Sequence, residues 1–106
     1  MADDDIDGMG RFSDPAVLLM TSLADGPKHG HAISKDVARF SGVTLGPGTL
    51  YGALARLEAK DLIEALASDQ RRQPYRLTTR GSAILAARLH AMEQVATTGL
   101  RRLSTA

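Results

Sequence analysis

Residues 45–60, LGPGTLYGALARLEAK, constrain the fold more than any other stretch of the chain. Pro47 suits the first position of a helix, because the N–H that proline lacks would have no partner inside the helix there. From that point Leu50, Leu54 and Leu57 recur at spacings of four and three, which places them on one face. The stretch therefore predicts a helix whose leucines face a core.

The opposite face of this helix carries almost no long side chains. It consists of Gly48, Gly52, Ala55 and Ala59, with Thr49 and Arg56 on one flank and Tyr51 on the other. A surface helix normally carries Lys and Glu on its solvent side. A bare face flanked by hydroxyls and a guanidinium instead predicts close approach to a large anionic partner, and a DNA groove is the leading candidate.

Composition limits the architecture and the chemistry. A chain of 106 residues with 43% hydrophobic residues forms one small domain with little stability to spare, which favours oligomerisation. The absence of cysteine excludes a disulfide framework, a thiolate metal site and a cysteine nucleophile. No apolar run approaches the roughly 20 residues of a membrane span, and the start lacks a basic and then apolar signal. We expect a soluble, cytoplasmic protein.

Charge is distributed unevenly although the net charge is only +1. Residues 1–27 contain six aspartates and one arginine, whereas residues 28–80 contain nine Lys and Arg against five Asp and Glu. Residues 81–106 contain three arginines and one glutamate. A basic middle segment is typical of nucleic-acid binding, although a balanced, solvated surface remains the alternative.

Two helices are predicted before residue 45. The acidic residues 1–12 lack periodicity and are predicted to be a disordered arm. Asp14-Pro15 should begin the first helix, which Gly26-Pro27 ends; its apolar stripe is Ala16, Leu19, Met20 and Leu23. The second should open at Lys28-His29-Gly30-His31 and end at Gly42; its predicted buried stripe is Ile33, Val37 and Phe40, with Ser34 and Lys35 off it as plausible phosphate contacts.

A two-stranded wing is predicted after the third helix. Residues 62–67 can form a strand, residues 68–74 are polar like a hairpin loop, and residues 75–77 can return as a second strand. Arg71, Arg72 and Arg76 lie at or near the tip. They predict contacts to the DNA backbone or minor groove, against the alternative of solubilising charges.

The last predicted helix runs from about residue 80 to residue 103, about 36 Å at 1.5 Å per residue, with Thr78 or Thr79 as its cap. It carries a heptad-like seam composed of Leu85, Leu89, Met92, Ala96, Gly99 and Leu103. One protomer cannot easily cover this seam, so we predict a homodimer. A ligand-lining role for these side chains is the less favoured alternative.

Chemistry other than binding has little support in the sequence. His29 and His31 could suggest a metal site, but no further ligands are apparent, so no metal and no cofactor are expected. We see no phosphate-binding loop and no positioned nucleophile and base, and therefore predict that the chain is not an enzyme.

Particular residues resemble the PadR-type transcriptional regulators. The resemblance covers about residues 14–85 and is carried by Gly26-Pro27, His29-Gly30, Leu45-Gly46-Pro47-Gly48-Thr49-Leu50-Tyr51, Leu54, Arg56-Leu57-Glu58, Leu62-Ile63, Tyr75-Arg76-Leu77-Thr78 and Gly81. It implies a homodimer that binds operator DNA through the third helix and the wing, usually as a repressor. It also implies dimerisation through the last helix and, in many members, a response to small aromatic or drug-like ligands.

The chain departs from the family pattern in three places: His31 replaces the usual aromatic residue, the wing lacks glycines, and there is no tryptophan. A ligand pocket built on paired indoles is therefore not expected here.

The sequence thus predicts a mainly α (α+β) winged helix-turn-helix fold with a two-stranded wing and a long C-terminal helix. The domain boundaries are an arm at 1–12, a DNA-binding domain at 13–78 and a dimerisation helix at 79–106. The predicted function is a sequence-specific repressor that binds double-stranded DNA at a palindromic operator and is relieved by a small hydrophobic or aromatic ligand. The alternative is a winged-helix protein-interaction module without DNA binding. The predicted DNA contacts are Ser34, Lys35, Thr49, Tyr51, Gly52, Arg56, Arg71, Arg72 and Arg76.

Overall fold

The predicted order of elements is confirmed by the computed structural model, which describes residues 14–68 and 72–105. The elements are α1 (Pro15–Leu23), β1 (Lys28–His29), α2 (Gly30–Ser41), α3 (Pro47–Ala59), β2 (Ile63–Ala65), β3 (Pro74–Leu77) and α4 (Thr79–Ser104). The fold is mainly helical, with a small antiparallel sheet. The predicted acidic arm at residues 1–12 and the predicted DNA contact Arg71 lie outside the described residues.

Local sequence signals set the helix boundaries. The Asp14 carboxylate accepts a hydrogen bond from the Ala16 N–H at 2.9 Å, which caps α1. Gly42, with φ at 77°, ends α2 in the left-handed conformation that glycine adopts without strain. Pro47 is the first residue of α3 and Thr78 caps α4, as predicted.

The sheet has three strands rather than the two predicted. The strand order is β1-β3-β2, with Lys28 opposite Tyr75 and Glu64 opposite Arg76. Residues 28–31 were predicted to open α2, and the helix begins within this segment, at Gly30, whereas residues 28–29 belong to an edge strand instead. A strand of two residues has no periodicity, so only its pairing with β3 reveals it.

The core lies where α1, α2 and α3 meet the sheet. Its buried apolar residues are Val17, Leu18, Leu19, Met20, Leu23, Ile33, Val37, Leu45, Leu50, Ala53, Leu54, Leu57, Leu62, Ile63 and Leu85. The predicted leucine stripe of α3 is thus confirmed. In α2, Ile33 and Val37 are fully buried, but the prediction that Phe40 is buried was wrong, because this residue lies in the last turn, past the covered part of the helix, and is 47% exposed.

A buried hydroxyl joins α1 to α2. Ser22 is only 1% exposed, and its Oγ donates a hydrogen bond to Asp36 Oδ2 at 2.8 Å, while Arg39 Nη2 donates to Asp36 Oδ1 at 2.7 Å. The Ser22 hydrogen bond, with a further contribution from Arg39, holds the pKa of Asp36 below its usual value despite the opposing effect of burial. A lowered carboxyl pKa adds stability above the unfolded-state value of 3.8, and this stability is lost as the pH falls through the folded pKa.

The first turn of α4 sits directly on the connection between α3 and β2. The Thr78 N–H donates to the Leu62 carbonyl at 3.1 Å, and its hydroxyl donates to the Asp61 carbonyl at 2.7 Å. A Cβ on Gly81 would lie 1.9 Å from the Leu62 carbonyl oxygen, so the helix can approach this closely only because residue 81 is glycine. The contact fixes the start of α4 against the end of α3.

Beyond this junction α4 leaves the body of the protein. It has 26 residues, about 39 Å at 1.5 Å per residue, in a molecule whose longest dimension is 57 Å. Leu85 is buried in the core, whereas Val95, Leu100 and Leu103 are 74%, 69% and 76% exposed. Within the described part of the chain, no helix combines the length and apolar character that crossing a membrane requires.

We predict that Gly81→Ala destabilises the fold by at least about 2 kcal/mol, because the added methyl group must displace backbone rather than a flexible side chain. Urea unfolding followed by circular dichroism measures the change. Ser82→Ala is the matched control, since Ser82 is exposed in the same turn and should change the free energy of unfolding by less than about 0.5 kcal/mol. Equal stability of the two variants would contradict the close-contact interpretation.

Candidate nucleic-acid interface

The exposed face of α3 is nearly bare, as the sequence predicts. Thr49, Ala55 and Arg56 are exposed and Gly52 is partly exposed. Arg56 has no ion-pair partner among the described residues. Its guanidinium extends back over Gly52, where an added Cβ would lie 3.5 Å from Nη1.

The two glycines on this face are not required by contacts inside the protomer. A Cβ on Gly48 would meet nothing within 4 Å, and one on Gly52 would make only an ordinary contact. Glycine inside a helix costs about 1 kcal/mol relative to alanine. Packing inside the protomer therefore gives no reason for glycine at either position.

Tyr51 turns away from this bare face toward the start of α2. The side chain is 54% exposed, and its hydroxyl lies over Gly30, where an added Cβ would be 2.7 Å from Oη. Gly30 therefore makes room for the ring. Gly30 belongs to the His29-Gly30 motif of the family resemblance, and Tyr51 belongs to its Pro-Gly-Thr-Leu-Tyr motif. The structure brings these two motifs into contact.

Tyr51 lines an open cleft of 280 Å³ between α2, α3 and the wing. The other residues of this cleft, which we call the wing cleft, are His29, Gly30, His31, Arg72, Gln73 and Tyr75. Burial raises the pKa of Tyr75, with a further contribution from the negative charge of Glu58, so its phenol is a neutral hydrogen-bonding group near pH 7. The wing cleft presents hydroxyl, imidazole and guanidinium groups to solvent.

The arginines of the wing lie in different surroundings. Arg72 Nη1 is 3.4 Å from His29 Nε2 in the wing cleft. Arg76 Nε donates to Glu64 Oε2 at 2.7 Å and lines a separate cleft with Asp61 and other residues near the start of α4. Of these two predicted DNA contacts, only Arg72 is brought together with Tyr51.

Two further predicted contacts lie on α2. Ser34 is partly buried and Lys35 is exposed, and neither lines the wing cleft. Five cleft residues had no predicted DNA role: His29, Gly30, His31, Gln73 and Tyr75. The His29-Gly30 and Tyr75 positions already stood out as parts of family motifs, but only the pairing of β1 with β3 shows that they meet.

The histidines do not form a metal centre with other residues. Within residues 14–68 and 72–105, no group of three or more His, Cys, Asp or Glu side chains could hold a metal ion. His29 occupies the N-cap position of α2 without a side-chain capping bond, and it faces Arg72 instead.

The sequence model of the transcriptional regulator PadR-like family matches residues 19–87. These residues include α2, α3, the wing and the junction at Gly81. The chain belongs to this family. The resemblance stated from the sequence is thereby confirmed, as is the prediction that the chain is not an enzyme. Membership supports DNA-binding transcription regulation at the level of the family.

Two related proteins are similar in sequence to most of this chain. Transcriptional regulator Rv3488 of Mycobacterium tuberculosis (strain ATCC 25618 / H37Rv) is 38% identical over 96 residues, which cover 83% of this chain and 86% of that protein. An uncharacterized 37.1 kDa protein in transposon TN4556 of Streptomyces fradiae is 46% identical over 85 residues, which are 80% of this chain but only a quarter of that protein's length (25%).

Among solved structures, a PadR family transcription regulator from hypervirulent Clostridium difficile R20291 superposes with a TM-score of 0.76 at 27% identity. The match covers 89% of this chain and 99% of that one.

The predicted dimerisation seam of α4 is divided by the structure into two parts. Leu85 belongs to the protomer core, and Met92 packs against it. Leu89 is 37% exposed, and Ala96 and Leu103 are exposed further along the helix. The surface available to a partner therefore lies mainly after Met92, where Val95, Leu100 and Leu103 form what we call the α4 apolar surface.

Proposed function

We propose that the chain is a sequence-specific transcriptional repressor that binds a palindromic operator as a homodimer, with α3 in the major groove. The observation that carries this proposal is the bare face of α3, where no described atom lies within 4 Å of a Cβ added at Gly48 and only the Arg56 guanidinium reaches over Gly52. In helix-turn-helix proteins the second helix of the pair reads the major groove with its N-terminal residues. Gly48 and Thr49 occupy that position in α3.

Side chains around this face provide the contacts. Thr49 and Arg56 flank the glycines and can reach base edges or phosphates, since their side chains are exposed. Tyr51 and Arg72 would bind the backbone from the wing cleft. Ser34 and Lys35 on α2 would make further phosphate contacts, and Arg71 is proposed as a wing contact from its sequence position alone.

The α4 apolar surface supports the homodimer. Three large apolar side chains, each at least 69% exposed, lie on a helix that projects from the body. Gly99 lies on the same helix with nothing within 4 Å of an added Cβ, so a second helix could approach closely there. Two recognition helices joined in this way would read half-sites about 34 Å apart on one side of the duplex.

A small hydrophobic or aromatic ligand that relieves repression is the remaining part of the proposal. Its support is the family resemblance together with the apolar side chains Val95 and Leu100, which offer such a ligand a binding surface. Electrophoretic mobility of the operator complex, measured across a panel of aromatic compounds, tests this step. Complexes that are insensitive to the whole panel would argue against it.

The decisive experiment is an electrophoretic mobility shift with the region upstream of the protein's own gene. Under the alternative, in which the winged helix docks only a protein, no shift would appear above the level of a random duplex. A shift that competes with unlabelled upstream DNA but not with random DNA supports sequence-specific binding.

Gly48→Gln should reduce operator affinity at least about tenfold, equivalent to about 1.4 kcal/mol, because the longer side chain occupies the space needed for the groove. The variant should be at least as stable as the wild-type protein, since no protein atom is displaced and glutamine has the higher helix propensity. Ala59→Gln is the control: it adds the same amide on the same face, but at the far end of α3. Equal loss of affinity in both variants would contradict the proposed docking of the N-terminal end.

Salt dependence distinguishes the arginines. Arg56→Ala and Arg72→Ala should each lower the slope of log affinity against log salt by about one, because each removes a phosphate contact. Arg76→Ala should leave the slope unchanged, because the Arg76 guanidinium already forms an ion pair with Glu64, with 2.7 Å between Nε and Oε2. Fluorescence anisotropy at several salt concentrations measures the slopes. A reduced slope for Arg76→Ala alone would reverse the assignment.

Leu103→Asp should convert the dimer to a monomer, because a charge would have to be buried at the helix–helix contact. Sedimentation equilibrium measures the mass, and circular dichroism checks that the fold is retained. Thr97→Asp introduces the same charge on the polar side of α4 and should remain dimeric. Wild-type mass for Leu103→Asp would show that the α4 apolar surface is not the dimer contact.

A further inference from the structure

An imidazole and a guanidinium lie side by side in the wing cleft. His29 Nε2 is 3.4 Å from Arg72 Nη1, and the contact joins the edge strand β1 to the wing across 43 positions of sequence. Arg72 is exposed, so the pair is open to solvent and to a ligand. Neither side chain contributes to the hydrophobic core.

The surroundings of His29 contain no counter-charge among the described residues that line the cleft. Arg72 and Tyr75 face it from the wing, His31 from α2 and Tyr51 from α3. Lys28, the preceding residue, is bound to the Asp25 carboxylate and the Ser22 carbonyl. Glu58 of α3 acts on Tyr75 but does not line the cleft. An anion that neutralises this group of donors must therefore come from outside these residues.

Protonation changes what His29 can bind. A neutral imidazole can accept a hydrogen bond from the Arg72 guanidinium through Nε2, whereas an imidazolium donates from both nitrogens and carries a positive charge. An anion placed between an imidazolium and a guanidinium accepts charge-assisted hydrogen bonds from both. The doubly cationic form of the pair therefore binds an anion more tightly than the singly cationic form.

We propose that the wing cleft binds one backbone phosphate of DNA with uptake of a proton by His29, so that DNA affinity rises as the pH falls. This inference rests on the proposed DNA-binding function. Linkage sets the size of the effect: a ligand that prefers the protonated form gains at most about tenfold in affinity per pH unit for one proton.

The test compares DNA affinity at about pH 6 and pH 8 at constant ionic strength, by fluorescence anisotropy with a labelled duplex from the upstream region. Wild-type protein and His90→Gln should bind at least about threefold more tightly at the lower pH. His29→Gln should lose this difference. His90 is a matched control because it lies exposed on α4, 3.8 Å from Glu93 and away from the cleft.

A second measurement identifies the anion. Neutral methylphosphonate linkages are placed one at a time in the duplex, and one position should remove the pH dependence of wild-type binding. In parallel, the imidazole resonances of His29 are followed by NMR while inorganic phosphate is added without DNA. Saturable binding of inorganic phosphate, with no sensitive position in the duplex, would overturn the assignment to DNA.

The outcomes separate this inference from the function on which it rests. DNA binding that is independent of pH, or pH dependence that survives in His29→Gln or is lost only in His31→Gln, overturns the proton-linked phosphate site and leaves the repressor proposal intact. Absence of DNA binding at every pH overturns both. Circular dichroism checks that His29→Gln is folded, which is expected because residue 29 pairs with Pro74 through the backbone.

Discussion

The contact between Gly81 and the Leu62 carbonyl determines how the functional parts of this protein are arranged. A Cβ at residue 81 would lie 1.9 Å from that oxygen, so only glycine allows α4 to begin where it does. The Thr78 hydroxyl donates a hydrogen bond to the Asp61 carbonyl, and the Thr78 N–H donates one to the Leu62 carbonyl. The end of α3, the start of the wing and the start of the projecting helix α4 are thereby held at one point.

Features with local causes were predictable from the sequence. The carboxylate of Asp14, the left-handed Gly42 and the ring of Pro47 act within a few residues of their own positions, and they set the start of α1, the end of α2 and the start of α3. The edge strand β1 was not predictable, because its two residues acquire strand geometry only by pairing with β3. The exposure of Phe40 likewise depends on how far the neighbouring elements extend over α2, which periodicity within one helix does not encode.

The candidate site likewise combines features that local sequence predicts with features that depend on non-local pairing. The bare face of α3 follows from helical spacing, but the membership of the wing cleft does not. Arg72 and Arg76 are four residues apart, yet the register of β3 pairs Arg76 with Glu64 while Arg72 reaches His29 on the opposite edge of the sheet. Two arginines that are equivalent by charge and position in the sequence therefore have different surroundings. Strand register, a non-local property, determines these different surroundings.

In the proposed function, the scarcity of long side chains on α3 limits how the protein would select its operator. Thr49 and Arg56 can read only a small number of base edges, since Gly48, Gly52 and Ala55 offer little beyond backbone and methyl groups. Selectivity must then come from DNA shape, which close backbone approach can sense, and from the separation of two half-sites. In the proposed dimer that separation is set by α4, whose direction relative to α3 depends on the junction at Gly81. A tight helix junction remote from the bases would thus contribute to sequence selectivity.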